Sequence, residues 1–112
     1  MARLDTPQAH KYNVHMKQLE FQWDPKKNRK NIRKHGVSFE EAKTVFYDEY
    51  ALQFFDPDHS DDEDRFLLLG ISFKLRTIIA CHCFREEETV VRIISAKKAD
   101  KGETQDYWSE RA

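Results

Sequence analysis

Glycine, proline and cysteine are all scarce in this chain: three, three and two among 112 residues. Three glycines cannot build the glycine-rich loops that cradle phosphate, so the common nucleotide-binding motifs are excluded. The two cysteines, Cys81 and Cys83, flank His82. On a strand both thiols face the same way, poorly placed to pair with each other, and no third thiol exists for either. Cys-His-Cys is also a poor metal site. Three ligands on alternating faces of one strand cannot converge on an ion, whereas zinc takes about four. No metal and no cofactor is expected, and both thiols read as small buried hydrophobes. The longest apolar run, residues 77–83, is far short of the roughly 20 residues that span a bilayer. With no charged-then-apolar leader either, a cytoplasmic protein without membrane contact is expected.

What the chain has is charge, sorted by sign. The formal net charge is only -1, yet residues 26–35 carry six cations ahead of His35. Residues 56–64 carry six carboxylates plus His59 and lead into Arg65. A local cationic surface attracts phosphate whatever the total charge does. Two ordinary solvated faces would give the same pattern.

The punctuation divides the chain clearly. Residues 1–15 are polar and aperiodic and read as a tag or disordered leader ahead of a single domain, residues 16–112. Leu19-Glu20-Phe21-Gln22-Trp23 alternates as a short strand does. Asp24-Pro25 caps and starts a helix that stops at Gly36, with Ile32 as its thin apolar stripe. Ser38 and Glu41 form a capping box for a second helix that buries Phe39, Ala42, Val45 and Phe46. Four strands follow, at residues 51–55, 65–72, 76–84 and 89–96. Their connections are too short for crossover helices, so they form an antiparallel meander. A last helix from Asp100 is weakened by Gly102. The expected class is α+β, ordered β-α-α-β-β-β-β, with an antiparallel sheet covered on one face by the two N-terminal helices.

The other sheet face would then be half exposed, carrying some of Arg65, Arg76, His82, Arg92 and Lys97. Arginine's planar fork suits phosphate, though each arginine alone also reads as a strand residue paired with a carboxylate. Arg92 is the hardest to explain that way, because it interrupts the apolar run Val90-Val91-Arg92-Ile93-Ile94. Whether His82 stands beside it depends on the register of the last hairpin, which the sequence leaves open. His35, at a helix C-terminus, is the other titratable candidate.

Taken in order, several blocks resemble the BrnT toxins, the toxin halves of type II toxin–antitoxin pairs. They are Phe21-Gln22-Trp23-Asp24-Pro25, Lys34-His35-Gly36-Val37-Ser38-Phe39-Glu40-Glu41-Ala42, Asp56-Pro57-Asp58-His59-Ser60, and Arg92-Ile93-Ile94-Ser95-Ala96, together with Glu63, Arg65 and Gly70. The resemblance spans about residues 19 to 108. It implies a RelE-like fold, an RNA substrate whose cleavage arrests translation, and neutralisation by a BrnA-type antitoxin. That antitoxin would be a ribbon-helix-helix protein, so operator DNA would be met only through it. The arginines and His35 would line the RNA site. The family usually has arginine where Lys97 stands, which weakens a bidentate phosphate contact here, and often glycine at the turn position of Leu75.

Metal-independent cleavage by the RNA 2′-hydroxyl, leaving a 2′,3′-cyclic phosphate, needs cations, a proton acceptor and a proton donor. Arg65, Arg76 and Arg92 are assigned to the phosphate. His35 is the first acid–base candidate, with Glu63, His59 and Tyr107 in reserve. Lys30, Lys34 and Lys97 are expected to hold RNA, as are His59 and Tyr107. Trp23 and Phe55 could anchor an antitoxin, or belong to the core. Two rivals stand beside this reading. One is a non-catalytic nucleic-acid-binding or adaptor module using the basic helix. The other is a metal-dependent nuclease using the carboxylates of residues 56–64.

Overall fold

Asp24 and Gly36 bracket the first helix as their chemistry dictates. The Asp24 carboxylate accepts from the Lys26 amide at 2.8 Å, proline opens the helix, and Gly36 closes it at φ 70°, where a β-carbon would be strained. The structure is a computed structural model and describes residues 10–11, 19–59 and 62–112. Its elements are β1 (His10–Lys11), β2 (Glu20–Gln22), α1 (Pro25–His35), α2 (Phe39–Val45), β3 (Leu52–Phe55), β4 (Phe66–Ile71), β5 (Thr77–Arg85), β6 (Val90–Lys98) and α3 (Lys101–Arg111). The expectation for residues 1–15 falls mostly outside the described residues. Within it, His10 and Lys11 pair with Gln53 and Leu52.

The strands form one sheet in the order β1-β3-β4-β5-β6-β2. The meander β3–β6 is antiparallel throughout, as the short connections require. The edge strand β2 instead lies parallel to β6, at Val90 to Arg92, so the sheet is mixed rather than wholly antiparallel. The α1–α2 pair carries the chain from β2 across the sheet to its far side at β3. That crossover, invisible in strand periodicity, sets the direction of the edge.

One face packs Val37, Phe39, Ala42, Val45 and Phe46 against Leu68, Ile78, Ala80, Val91 and Ile93. Helix α2 approaches closely where β4 has Gly70: a β-carbon there would stand 2.8 Å from Val45 Cγ1. The opposite face is not left open along its length. Helix α3, started by a complete capping box of Asp100 and Glu103, places Tyr107 over Leu52, Phe54, Leu69 and Ile79. The Gly102 penalty is outweighed by this burial. Trp23 is partly buried against Phe39, while Phe55 is exposed. No helix among the described residues is long and apolar enough to cross a membrane.

Candidate functional site

Helix α1 buries asparagine rather than isoleucine. Asn31 is its buried residue and Ile32 is exposed, which corrects the expected apolar stripe. Strand β2 covers the outer edge of β6 only from Val90 to Arg92, leaving later backbone groups without a neighbouring strand among the described residues. The Asn31 amide supplies the missing partner. It donates to Ala96 O at 2.8 Å, accepts from Ala96 N at 3.2 Å, and also donates to Val37 O at 2.8 Å. Asn28 adds a bond from Phe39 N at 2.9 Å. Positions 28, 31 and 35, which hold neither lysine nor arginine, follow helical spacing through a cationic tract, and that spacing was the signal for the inward face.

This clamp places His35 at the rim of a cleft of about 90 Å³, with Leu67, Ile79, Cys81, Ser95 and Lys97. The face of the sheet that forms its floor is assembled by a bulge. Arg92 lies opposite Cys83, but Ser95 lies opposite Cys81 and Lys97 opposite Ile79, with a register shift between Cys81 and His82. In an unbroken strand Arg92 and Ser95, three apart, would face opposite ways. The extra residue turns Arg92, Ser95 and Lys97 onto one face. Arg92 thus shares the face of Cys83, while His82 pairs with Ile93 and points to the other side.

Arg65, just before β4, adds its charge to the same region: its guanidinium lowers both thiol pKa values, though not enough to offset other effects. Burial, then the Asp56 carboxylate, pushes the Cys81 thiol up; burial, then Glu63, does the same for Cys83. Both thiols are therefore neutral hydrogen-bonding groups rather than nucleophiles. Glu63 closes the other end of the row. Its carboxylate receives the Arg85 fork at 3.0 and 3.3 Å and the Cys83 thiol at 3.4 Å. Arg92 is half-buried and, among the described residues, forms no ion pair. Lys30 and Lys34 are exposed on α1. Sequence reasoning missed Asn31, Ser95 and Arg85, whose roles depend on the bulge and on contacts between distant segments.

Three expected site residues are used elsewhere. Arg76 donates from Nε to the wholly buried Glu41 at 2.9 Å, from Nη2 to the same carboxylate, and to Gly36 O at 3.1 Å. It lies just before β5, seven residues ahead of Cys83, about 23 Å of strand from Arg92's partner. Glu41 is correspondingly not the second half of a capping box. Burial alone would raise its pKa, but bonds from Arg76 and Ser72 outweigh burial and hold it below the usual value. Tyr107 is wholly buried and donates to Asp48 at 2.6 Å; burial and that bond push its phenol well above the ordinary range. It has no surface to offer RNA. His82, expected near the open face, is buried between Phe46, Phe66 and Phe84 on the helix side. Lys97 remains at the cleft, but its ammonium is 3.5 Å from Glu103 and so partly neutralised. His59 ends a single 3-10 turn, Pro57–His59, and its side chain lies outside the described residues.

A row of cations along one sheet face, with a carboxylate at one end and an imidazole at the other, can hold a phosphodiester and move protons beside it. Residues 23–103 match the family model described as the ribonuclease toxin, BrnT, of type II toxin–antitoxin systems. In structure the chain is similar to the crystal structure of the Brucella abortus ribonuclease toxin, BrnT, with a TM-score of 0.54 and 21% identity. The alignment covers 74% of this chain and 99% of that one, and at that identity it establishes likeness of fold. No curated protein matches the chain in sequence.

Proposed function

This chain belongs to the BrnT family of ribonuclease toxins of type II toxin–antitoxin systems, and from that premise we propose that it cleaves RNA without a metal and thereby arrests translation. The 2′-hydroxyl attacks the adjacent phosphorus, the bond to the 5′-oxygen breaks, and a 2′,3′-cyclic phosphate remains. Arg92 and Arg65 stabilise the charge that grows on the non-bridging oxygens. His35 accepts the proton of the 2′-hydroxyl and the leaving 5′-oxygen takes one from water, with Glu63 the reserve acceptor. The two side chains stand at opposite ends of the row from Arg92 to Lys97, roughly 13 Å of strand, too far apart to flank one phosphate together. Lys34 and Lys30 hold the flanking backbone, with Lys97 and His59 as further contacts to RNA.

The observation that carries this reading is the β6 bulge, which turns Arg92 onto the face of Ser95 and Lys97, where among the described residues it has no carboxylate partner. Neutralisation is assigned to a BrnA-type antitoxin of ribbon-helix-helix fold, through which operator DNA is contacted. The test is incubation with end-labelled single-stranded RNA in EDTA, with Arg92→Ala alongside, and analysis of product ends. Cyclic-phosphate ends from the wild type alone support the mechanism. Cleavage only after magnesium is added moves the chemistry to the carboxylates of residues 56–64. Salt-dependent binding without any product leaves a binding module.

A further inference from the structure

The C-terminal ends of α2 and α3 and the turn between β4 and β5 enclose a second groove, of about 700 Å³. It shares no lining residue with the cleft beside His35. Exposed apolar side chains line it: Tyr47 is 52% exposed, Phe73 65%, Leu75 85% and Trp108 48%. Its polar groups are already occupied within the chain. Asp48 accepts from the amides of Tyr50 and Ile71, both at 2.9 Å, and from the Tyr107 hydroxyl. The Thr44 hydroxyl donates to Glu41 O and accepts from the Phe73 amide. The groove therefore offers apolar surface in which Asp48 and Thr44 are already satisfied, and Arg111 stands among its lining residues, which is the character of a protein-docking site.

Leu75 makes the strongest case. It lies at φ 60°, a left-handed conformation that residues with a β-carbon rarely adopt and that glycine occupies freely. The turn is closed by backbone bonds, Leu75 N to Ser72 O at 2.8 Å and Ser72 N to Arg76 O at 2.9 Å, none of which needs a leucine side chain. A strained position that projects a nearly solvent-surrounded leucine gains nothing for the fold, and strain of this kind marks function.

The rim is cationic. The Lys74 ammonium lies 5.9 Å from the Phe73 ring centre and 4.0 Å from the Glu41 carboxylate, which neutralises it in part, and Arg111 lies 5.0 Å from Trp108 and 4.3 Å from Tyr50. Among the described residues Arg111 forms no ion pair. A second copy of this chain would set cations against cations. An acidic amphipathic segment meets both the apolar floor and the charged rim. We infer that this groove, rather than the cleft, seats the antitoxin, through a segment that packs apolar residues on Leu75, Phe73 and Trp108 and carboxylates on Lys74 and Arg111. The inference rests on the toxin reading above, because membership in a toxin–antitoxin family is what supplies the partner.

The test uses the full chain and its antitoxin partner, with affinity measured for wild type, Leu75→Gly and Arg111→Glu, and RNA cleavage measured for each free protein. Leu75→Gly relieves the left-handed strain, so its unfolding midpoint should not fall while the anchor is lost. At least tenfold weaker antitoxin binding by each variant, with cleavage unchanged, is expected. Unchanged binding by both variants overturns the inference. So does reduced cleavage, which would give the groove to RNA, or a wild-type dimer that Leu75→Gly dissociates. A wild-type chain that cleaves RNA but binds no antitoxin overturns it too, while one that does neither overturns the toxin reading as well.

Discussion

The side-chain amide of Asn31 bonds both backbone groups of Ala96, 65 residues away, and so substitutes for a strand on the outer edge of β6. A buried backbone amide and carbonyl would otherwise be stranded where β2 ends. The same bonds seat the last turn of α1 against the sheet, which is what places His35 at the cleft. One asparagine thus connects the edge of the sheet to the proposed proton-transfer geometry.

Asn31→Ala leaves the Ala96 and Val37 groups short of partners and should cost about 2–4 kcal/mol, read as a lower urea midpoint. RNA cleavage by the folded fraction should fall as well, because His35 loses its seat. A destabilised variant that cleaves at the wild-type rate would detach His35 from the site.

Arg76 and Arg92 should respond in opposite ways. Arg76→Ala strands the Glu41 carboxylate in the core, and breaking a buried pair of this kind costs about 3–5 kcal/mol. Its folded fraction should still cleave RNA. Arg92→Ala removes no ion pair among the described residues and should change stability by about 0.5 kcal/mol or less, yet slow cleavage by about 100- to 1000-fold. Parallel unfolding curves and cleavage rates decide it; an inactive but stable Arg76→Ala would return Arg76 to the catalytic set.

The chain's local punctuation was legible. Asp24, Gly36, Ser38 and Asp100 end or start helices because their side chains or backbone freedom act within a few residues. The strand order of the meander followed from connections too short for crossovers. What could not be read depends on distant partners. The β6 bulge has no sequence mark, so the face of Arg92 stayed open until the register was known. Arg76 looked like the other arginines because its partner, Glu41, is 35 residues away and already had a local explanation as a capping residue. Tyr107 looked available because a helix with one glycine and mixed polarity gave little sign of which face it buries.

Gly70 carries a packing prediction. Alanine there would put its β-carbon within 2.8 Å of Val45 Cγ1 and 3.1 Å of the Ala51 β-carbon, forcing α2 away from β4. Overpacking of this kind costs about 1–3 kcal/mol. The measurement is the thermal midpoint of Gly70→Ala against wild type, and an unchanged midpoint would mean that α2 shifts freely on the sheet.

His82 should make the fold sensitive to mild acid. The ring is fully enclosed, with Nδ1 donating to Ala80 O at 3.0 Å and Nε2 standing 3.1 Å from Gln53 Oε1. Burial disfavours the cation and lowers the pKa to about 4, against 6.5 for the free side chain; the Ala80 bond offsets this only in part. Between those values the unfolded chain holds a proton that the folded chain does not. Stability from this group is therefore complete above pH 6.5 and is lost as the pH falls through about 4, a total of about 3 kcal/mol. Glu41, whose pKa is also held low, begins to withdraw its contribution only below its ordinary value of 4.5. The window between pH 6.5 and 5 consequently reports His82 rather than Glu41. Urea midpoints at pH 7.5, 6.0 and 5.0 should decline in the wild type and stay nearly level in His82→Leu, even though that variant starts lower. Parallel declines in the two proteins would assign the acid sensitivity to other groups.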